Sequence, residues 1–355
     1  MILTGGVDIS WIDIEYVTDA ATNGWDEHHG DYIKAFEEAF AEYVGVRYAR
    51  TTSGGTQALT LALATLGVGP GDEVILPDIT YFACSDVIVQ AGATPVFVDT
   101  DKTWCIDPEA FEKAITPKTK AVMPVWMYGN APEMNDIVWV AEENGIPIVE
   151  DACPAVGSLF RGNHSGTFGA FGCFSFHGAK IMTTGFGGMV VTDDKKLYDR
   201  LQFLNDHGEN RTYPYRFWQT EVGYSFDLPN INCALGLGQL ERIEEFVGKK
   251  RQIFEWYKSR LDFPMNYEQP YARTNKWMTT IIVPNRDEVM KALKENGIDT
   301  RPFFFPISMF PMYEEQDTPN AHAAGLNGIN LPSGVQRTEE EIDRICEIIN
   351  VSANR

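Results

Sequence analysis

The sequence predicts an α/β protein with a largely parallel β-sheet between helices, followed by a smaller α+β domain. Short apolar runs recur between residues 73 and 192, and helical stretches separate them. Several runs are apolar at successive positions, which is typical of strands covered on both faces. Such alternation of strands and helices indicates a mainly parallel sheet. The predicted strands are residues 73–76, 94–99, 121–126, 147–150, 172–176 and 188–192.

The helices around these strands are predicted from periodicity and end signals. The first thirty residues suggest an irregular lead-in. From Asp31, apolar residues recur at helical spacing until Gly45, and residues 56–66 suggest a buried helix. Asp107 followed by Pro108 is typical of an N-cap and first helical position.

The pattern changes after about Asn232, which predicts a domain boundary there. A long helical pattern extends towards Leu261, followed by a strand at residues 277–283 and a helix around residues 289–293. Residues 338–341 form a capping box that opens the last helix. We therefore expect a large α/β domain at residues 1–232 and a smaller α+β domain at residues 233–355.

The composition of the chain disfavours several classes of binding partner. The chain has 355 residues, 44% of them apolar, and a formal net charge of −21, which disfavours nucleic acid and anionic membranes. The six cysteines form no CxxC pair and no zinc-like spacing, so no metal site is expected, and free thiols fit a reducing compartment. With no signal peptide and no apolar run near 18 residues in this sequence, the expected location is the cytoplasm.

Three short segments carry the chemistry. Residues 53–56 are Ser-Gly-Gly-Thr before a predicted helix, whose first N–H groups could bind a phosphate. Asp151 ends one apolar run, and Ser175 and Lys180 lie at the end of another. Each feature is common alone, since an Asp can cap a helix and a Lys is ordinarily exposed. Together they supply what pyridoxal phosphate requires: an amine for the Schiff base, a carboxylate for the ring nitrogen and a phosphate cradle.

The chain resembles the sugar-nucleotide aminotransferases of the fold-type I pyridoxal phosphate enzymes over almost its whole length. The resemblance implies a seven-stranded sheet, a homodimer with shared active sites and a cytoplasmic biosynthetic enzyme. It also implies amino transfer, with glutamate as the expected donor, to a nucleotide-linked keto-deoxysugar. The matching segments are residues 53–59, 70–77, 80–81, 92–96, 128–129, 150–151, 174–180, 183–185, 301–302, 311–313 and 328–333.

The same resemblance implies roles for individual residues. Lys180 matches the Schiff-base lysine that also carries the proton, and Asp151 matches the partner of the pyridine nitrogen. Tyr81 occupies the position of an aromatic ring stacked on the cofactor, although composition alone favours a core aromatic there. The phosphate ligands implied are Gly55, Thr56 and Ser175, with Ser225 in place of an Asn that reaches the neighbouring subunit's phosphate.

Several residues depart from the family pattern. Pro154 replaces a polar residue near the cofactor, Phe186 a Glu, Ser225 the Asn and Asp227 an Arg. These departures leave open a regulatory or interaction protein that binds pyridoxal phosphate without turnover. A sugar dehydratase on the same fold is a further alternative, but such enzymes have His where this chain has Lys180.

Two more departures and one expected contact concern the surroundings of the site. Trp126 and Ser308 replace histidines that are common in the family. Asp227 would repel a phosphate, so we expect it to point away and to pair with Arg211 or Arg216.

Overall fold

The computed structural model describes residues 1–353. Helices and strands alternate through the first part of the chain, as the sequence predicts. In chain order they are α1 (Trp11–Asn23), α2 (Asp31–Val44), β1 (Tyr48–Thr52), α3 (Gly55–Thr65), β2 (Glu73–Pro77), α4 (Ala83–Gln90), β3 (Thr94–Val98), α5 (Pro108–Lys113), β4 (Thr119–Val122), α6 (Met134–Asn144) and β5 (Val149–Asp151).

The rest of the chain adds two hairpin-like strands, two further strands of the main sheet and the C-terminal elements. They are β6 (Leu159–Phe160), β7 (Asn163–His164), β8 (Phe171–Ser175), β9 (Gly188–Thr192), α7 (Lys195–Asn205), α8 (Asn230–Glu241), α9 (Ile243–Lys258), β10 (Ala272–Arg273), β11 (Thr279–Ile282), α10 (Arg286–Glu295), β12 (Arg301–Pro302), α11 (Pro319–Asn327), β13 (Gly328–Leu331) and α12 (Glu339–Ala353). Short 3₁₀ turns occupy Asp26–His28, Met127–Gly129 and Ile307–Met309.

The central sheet has seven strands in the order β3-β2-β4-β5-β8-β9-β1. Its two halves, β3-β2-β4 and β5-β8-β9-β1, are joined by the parallel bridges Val122–Ile148 and Val125–Asp151. Strand β9 is antiparallel to both its neighbours, whereas β2 pairs in parallel with β3 and β4, and β5 with β8. The predicted fold-type I architecture, a mainly parallel seven-stranded sheet between helices, is confirmed.

Complete burial explains why the central strands are apolar at successive positions. Every residue of β8 and β9 is buried, because helices cover both faces of the sheet. At Gly188 a Cβ would lie 2.5 Å from the backbone of Gly54, so the glycine permits the residue before α3 to approach β9. This contact brings the start of α3 to the sheet edge where β8 ends.

The C-terminal part contains a second, antiparallel sheet in the order β11-β13-β12. Helices α9, α10 and α12 pack with it around a separate apolar cluster that includes Tyr257, Val289 and Ile345. Ile2 belongs to the same cluster, and the predicted boundary after residue 232 falls inside α8. The division at that residue stays a prediction.

The interpretation of the first thirty residues as irregular is wrong, because α1 occupies Trp11–Asn23. Its polarity is inverted: Trp11 is 71% exposed, whereas Asp13 is buried and accepts hydrogen bonds from Ser10 and Gln239. A search for an apolar buried face therefore overlooks this helix. Within residues 1–353, no helix is long and apolar enough to cross a membrane.

Candidate active site

Six of the seven predicted site residues line one cavity of about 590 Å³. They come from the ends of several elements: Asp151 ends β5, Ser175 ends β8, and Gly55 begins α3 after β1. Because carboxyl ends of parallel strands converge at one edge of a sheet, distant segments meet there. The six residues are Gly55, Thr56, Tyr81, Asp151, Ser175 and Lys180.

Lys180 lies in the loop after β8, and Trp277 anchors this loop. The Trp277 indole N–H donates a hydrogen bond to the Ala179 carbonyl at 2.8 Å, and the Lys180 Nζ lies 4.1 Å from the centre of the indole ring. Burial lowers the pKa of Lys180, although nearby Cys153 and Asp151 act in the opposite direction. The site thus favours a neutral amine, the form that can accept a proton.

Asp151 is almost completely buried, with 5% exposure, and each carboxylate oxygen has a protein donor. Oδ1 accepts from the Cys153 backbone N–H and Oδ2 from the Cys84 thiol, both at 3.0 Å. Burial, and then the charge of Asp151, hold the pKa of Cys84 well above its usual value, so the thiol keeps its proton. The two donors hold the Asp151 carboxyl group in place at the cavity wall.

Glu150 precedes Asp151 but has a different role. Its oxygens accept from the Trp126 indole N–H and from the backbone N–H groups of residues Gly166, Phe168 and Gly169. Burial raises the pKa of Glu150 to about 7, and these four donors oppose the rise. Glu150 therefore holds the loop after β7, and Asp151 alone faces the cavity.

The predicted phosphate cradle lies at the N-terminus of α3. Its N-cap is Gly54, no side chain caps it, and N–H groups in the first turn have no partner within the helix. A Cβ on Gly55 would lie 2.7 Å from the Cys153 Sγ and 2.8 Å from the Ser175 Cβ. Only glycine leaves this approach open, and the helix end attracts an anion.

Tyr81 is not a core residue. Its side chain is 47% exposed at the cavity, with the Phe82 ring centre at 4.2 Å and the Phe304 ring centre at 5.7 Å. The composition-based expectation of a core aromatic at this position is wrong. An exposed aromatic face at the cavity wall is what stacking on a planar ring requires.

Ser225 is the predicted site residue that does not line the cavity. It is exposed, although the next residue, Phe226, accepts a hydrogen bond through its carbonyl from the Ser53 N–H at 2.6 Å. Asp227 pairs with Arg50 at 2.6 Å and accepts from Asn205, whereas Arg211 pairs with Asp206. The expected partners Arg211 and Arg216 are therefore wrong, because Arg50 on the adjacent β1 is closer.

The remaining departures from the family pattern divide into two groups. Trp126 and Ser308 are buried and donate to Glu150 and Asp78, outside the cavity. Pro154 and Phe186 line the cavity, and the 68% exposed Phe186 packs edge-on against the His177 ring. The first pair is structural, and the second pair contributes to the cavity wall.

The sequence matches the DegT/DnrJ/EryC1/StrS aminotransferase family over residues 8–350. The chain belongs to this family. The aminotransferase is 42% identical to GDP-perosamine synthase of Escherichia coli O157:H7 over 344 residues, covering 95% of this chain and 94% of that one. Its fold matches the aminotransferase TlmJ from Streptoalloteichus hindustanus with a TM-score of 0.94 at 28% identity, covering 99% and 98% of the two chains. It also matches DesV of S. venezuelae with a TM-score of 0.90 at 30% identity, covering 97% and 94%.

These comparisons confirm a pyridoxal phosphate-dependent nucleotide-sugar aminotransferase, which acts on a sugar substrate and an amino donor. The cavity of this aminotransferase fits the cofactor. It offers an amine at Lys180, an anion at Asp151 and an uncapped helix end beside Gly55, where a larger side chain would clash. The hypotheses of a regulatory protein and of a dehydratase lose their support.

Two residues that contact these side chains, Trp277 and Cys84, were not predicted from the sequence. Trp277 is remote in sequence from Lys180, and no local pattern links an indole just before β11 to that amine. Cys84 had a signal, because it follows the matching pair Thr80-Tyr81 at the carboxyl end of β2. Cys84 could therefore have been assigned to the predicted crevice from the sequence.

Proposed function

We propose that this aminotransferase transfers an amino group from glutamate to the keto carbon of a GDP-linked 4-keto-6-deoxymannose. The relatives named GDP-perosamine synthase support this substrate, and they come from three organisms. Another relative is named a spore coat polysaccharide biosynthesis protein, which supports a role in making amino sugars for polysaccharides such as O-antigen. The observation that carries the proposal is the convergence of Lys180, Asp151 and the α3 N-terminus on one cavity.

Each predicted residue has a proposed task in that cavity. Gly55, Thr56 and Ser175 would bind the phosphate, and Tyr81 would cover one face of the ring. Asp151 would pair with the ring nitrogen and keep it protonated. Pyridoxal phosphate, when bound, supplies the carbonyl that takes up the amino group and the conjugated ring that accepts an electron pair.

Lys180 would do the proton transfer. Burial favours its neutral amine, which can take the proton from the α-carbon of the amino donor and return it at a neighbouring carbon. The anchored Trp277 ring faces this amine and limits where it moves. The same amine would act in the reverse direction when the sugar receives nitrogen.

We further propose a cytoplasmic homodimer in which Ser225 of one subunit completes the phosphate site of the other. Ser225 is exposed and separate from its own cavity, which supports a contact outside its own chain. All six cysteines are unpaired and buried, which supports a reducing compartment.

Two measurements test the function. Incubation with glutamate should convert the bound cofactor from the aldehyde to the amine form, as absorbance reports. A panel of GDP-, UDP- and dTDP-linked 4-keto-6-deoxysugars should then restore the aldehyde form, fastest with the GDP-linked sugar. Faster turnover of a UDP- or dTDP-linked sugar would contradict the proposed nucleotide.

Borohydride reduction followed by peptide mass spectrometry tests the proposed lysine. The cofactor should be attached to Lys180, and a Lys180→Ala variant should show no attachment. The nearby buried Lys250 serves as an internal comparison, because its amine lies outside the cavity. Attachment at Lys250 or elsewhere would reject Lys180 as the carrier.

A further inference from the structure

The carboxylate of Asp151 has an unusual second donor. A backbone N–H, that of Cys153, satisfies Oδ1, but Oδ2 accepts from the side chain of Cys84. Cys84 lies in the first turn of α4, which follows β2, so the donor comes from a different part of the sheet edge than the acceptor. Both groups are buried.

The thiol is itself held in place. The Thr80 hydroxyl lies 3.4 Å from the Cys84 Sγ, and both residues are fully or almost fully buried. The charged and titratable groups around Asp151 are Lys180 and the thiols of Cys84, Cys153 and Cys173, with Glu150 turned to its own loop. The Cys84 thiol donates to Asp151 Oδ2 at 3.0 Å, and a hydrogen bond to Asp151 also contributes to the raised pKa of the Cys153 thiol.

We propose that Cys84 is a positioning residue that fixes the Asp151 carboxylate in its orientation towards the ring nitrogen of the cofactor. The inference rests on the proposed role of Asp151. A carboxylate held by donors at both oxygens cannot rotate, so its remaining lone pairs keep one direction. A hydrogen bond to the carboxylate also favours its ionised form, which is the form that pairs with a protonated ring.

A purely space-filling role is the alternative, and Cys173 provides the matched control. Cys173 is equally buried, on β8 beside β5, and its thiol donates no hydrogen bond within residues 1–353. Cys84→Ala and Cys173→Ala remove the same atom from equally buried positions. Cys84→Ser keeps a donor in the smaller hydroxyl.

The test measures the affinity for pyridoxal phosphate as a function of pH, alongside kcat. In Cys84→Ala, the pH below which the cofactor is lost should rise, because a carboxylate with one donor fewer is less stabilised in its ionised form. The kcat should fall about fivefold, the factor that about 1 kcal/mol gives. Cys84→Ser should restore both values at least in part, and Cys173→Ala should leave both near wild type.

A second readout is independent of folding differences between variants. The S–H stretching band of Cys84, assigned by its loss in Cys84→Ser, should lie at lower frequency than that of Cys173, because hydrogen bonding weakens the S–H bond. Equal frequencies, or identical pH profiles for Cys84→Ala and Cys173→Ala, would overturn the inference. A normal Asp151→Asn enzyme would instead overturn the role of Asp151 itself, which distinguishes the two failures.

Discussion

The proposed role of Lys180 as a base depends on both the protonation and the position of its amine. Burial lowers its pKa, and the Trp277 ring lies under the Nζ. A ring face attracts the charged form by about 0.5–2 kcal/mol, so it limits the effect of burial. Trp277 thus sets a balance between a neutral and a charged amine.

Two substitutions at Trp277 should distinguish the effect of the aromatic ring on the pKa of Lys180 from the effect of the indole N–H. Trp277→Leu removes the ring, so the pKa of Lys180 in cofactor-free protein should fall by about one unit. Trp277→Phe keeps a ring but loses the bond to the Ala179 carbonyl, so that pKa should change little. The pH dependence of chemical labelling at Lys180, followed by mass spectrometry, measures both. An equal shift in the two variants would contradict a role for the ring.

Asp151→Asn should reduce turnover far more than it reduces cofactor content. The ring nitrogen loses its anionic partner, and a contact of this kind is worth about 10²-fold or more in rate. The matched control is Asp78→Asn, another buried aspartate, which accepts from Ser308 and Thr318 away from the cavity. The folded fraction of the control should turn over normally. Near-normal kcat in Asp151→Asn would remove Asp151 from its role.

For individual residues, local sequence motifs predicted much of the candidate site. Gly55, Asp151 and Lys180 were predicted because each carries its signal within a few residues of an apolar run. Trp277 contacts Lys180 across segments distant in sequence, and a single sequence does not record such a contact. Its assignment required the folded chain, whereas Cys84 lies close to the matching pair Thr80-Tyr81.

Helix α9 carries a buried lysine, Lys250, whose titration should affect stability. The Lys250 amine donates to the Trp277 carbonyl at 2.9 Å, and burial lowers the pKa of Lys250 to about 7. Between about pH 7 and about pH 10.4, the unfolded chain therefore binds a proton that the folded chain does not. Stability should rise with pH across this range.

The effect of Lys250 should appear in unfolding experiments. Lys250 should add up to about 1.4 kcal/mol per pH unit to the slope of the unfolding free energy between pH 7 and 10. Lys250→Met should remove this part of the slope, whereas Lys258→Met, at an exposed position of the same helix, should keep it. Urea unfolding of cofactor-free protein at several pH values measures the slopes. Parallel curves for wild type and Lys250→Met would contradict the burial argument.

Strands and helices were predictable from the sequence where the apolar residues of the pattern are also the buried residues of the structure. Strands β2, β8 and β9 match the predicted runs within one or two residues, because their successive apolar residues are all or nearly all buried. Helix α1 was missed because it buries Asp13 and exposes Trp11. The long pattern after residue 232 is two helices, α8 and α9, since the chain turns at Arg242.

For the whole molecule, the exposed aromatic residues between α7 and α8 indicate an interaction surface. Phe217 is 83% exposed, and Tyr213 stacks on Trp218 with ring centres 4.5 Å apart. Exposed apolar clusters mark contact sites on soluble proteins. This segment leads directly to Ser225, which agrees with the proposed sharing of sites between subunits.

Mixing two inactive variants tests that sharing. Ser225→Asp should repel the phosphate in the partner's site, and Lys180→Ala should disable its own site. If the sites are shared, mixed dimers regain one intact site, so an equal mixture should recover about one quarter of the wild-type activity. Ser259→Asp, at a position remote from the cavity, should be fully active alone. No recovery on mixing, or an active monomer in light scattering, would refute the shared site.

The adjacent carboxylates of β5 also determine which changes in chain length the fold tolerates. Side chains alternate along a strand, so Glu150 turns to its loop and Asp151 to the cavity. A one-residue insertion or deletion in the turn at residues 145–147 that shifted the pairing of β5 with β8 would exchange the two. Lineages of this aminotransferase should therefore vary in length at other surface loops while this turn stays constant.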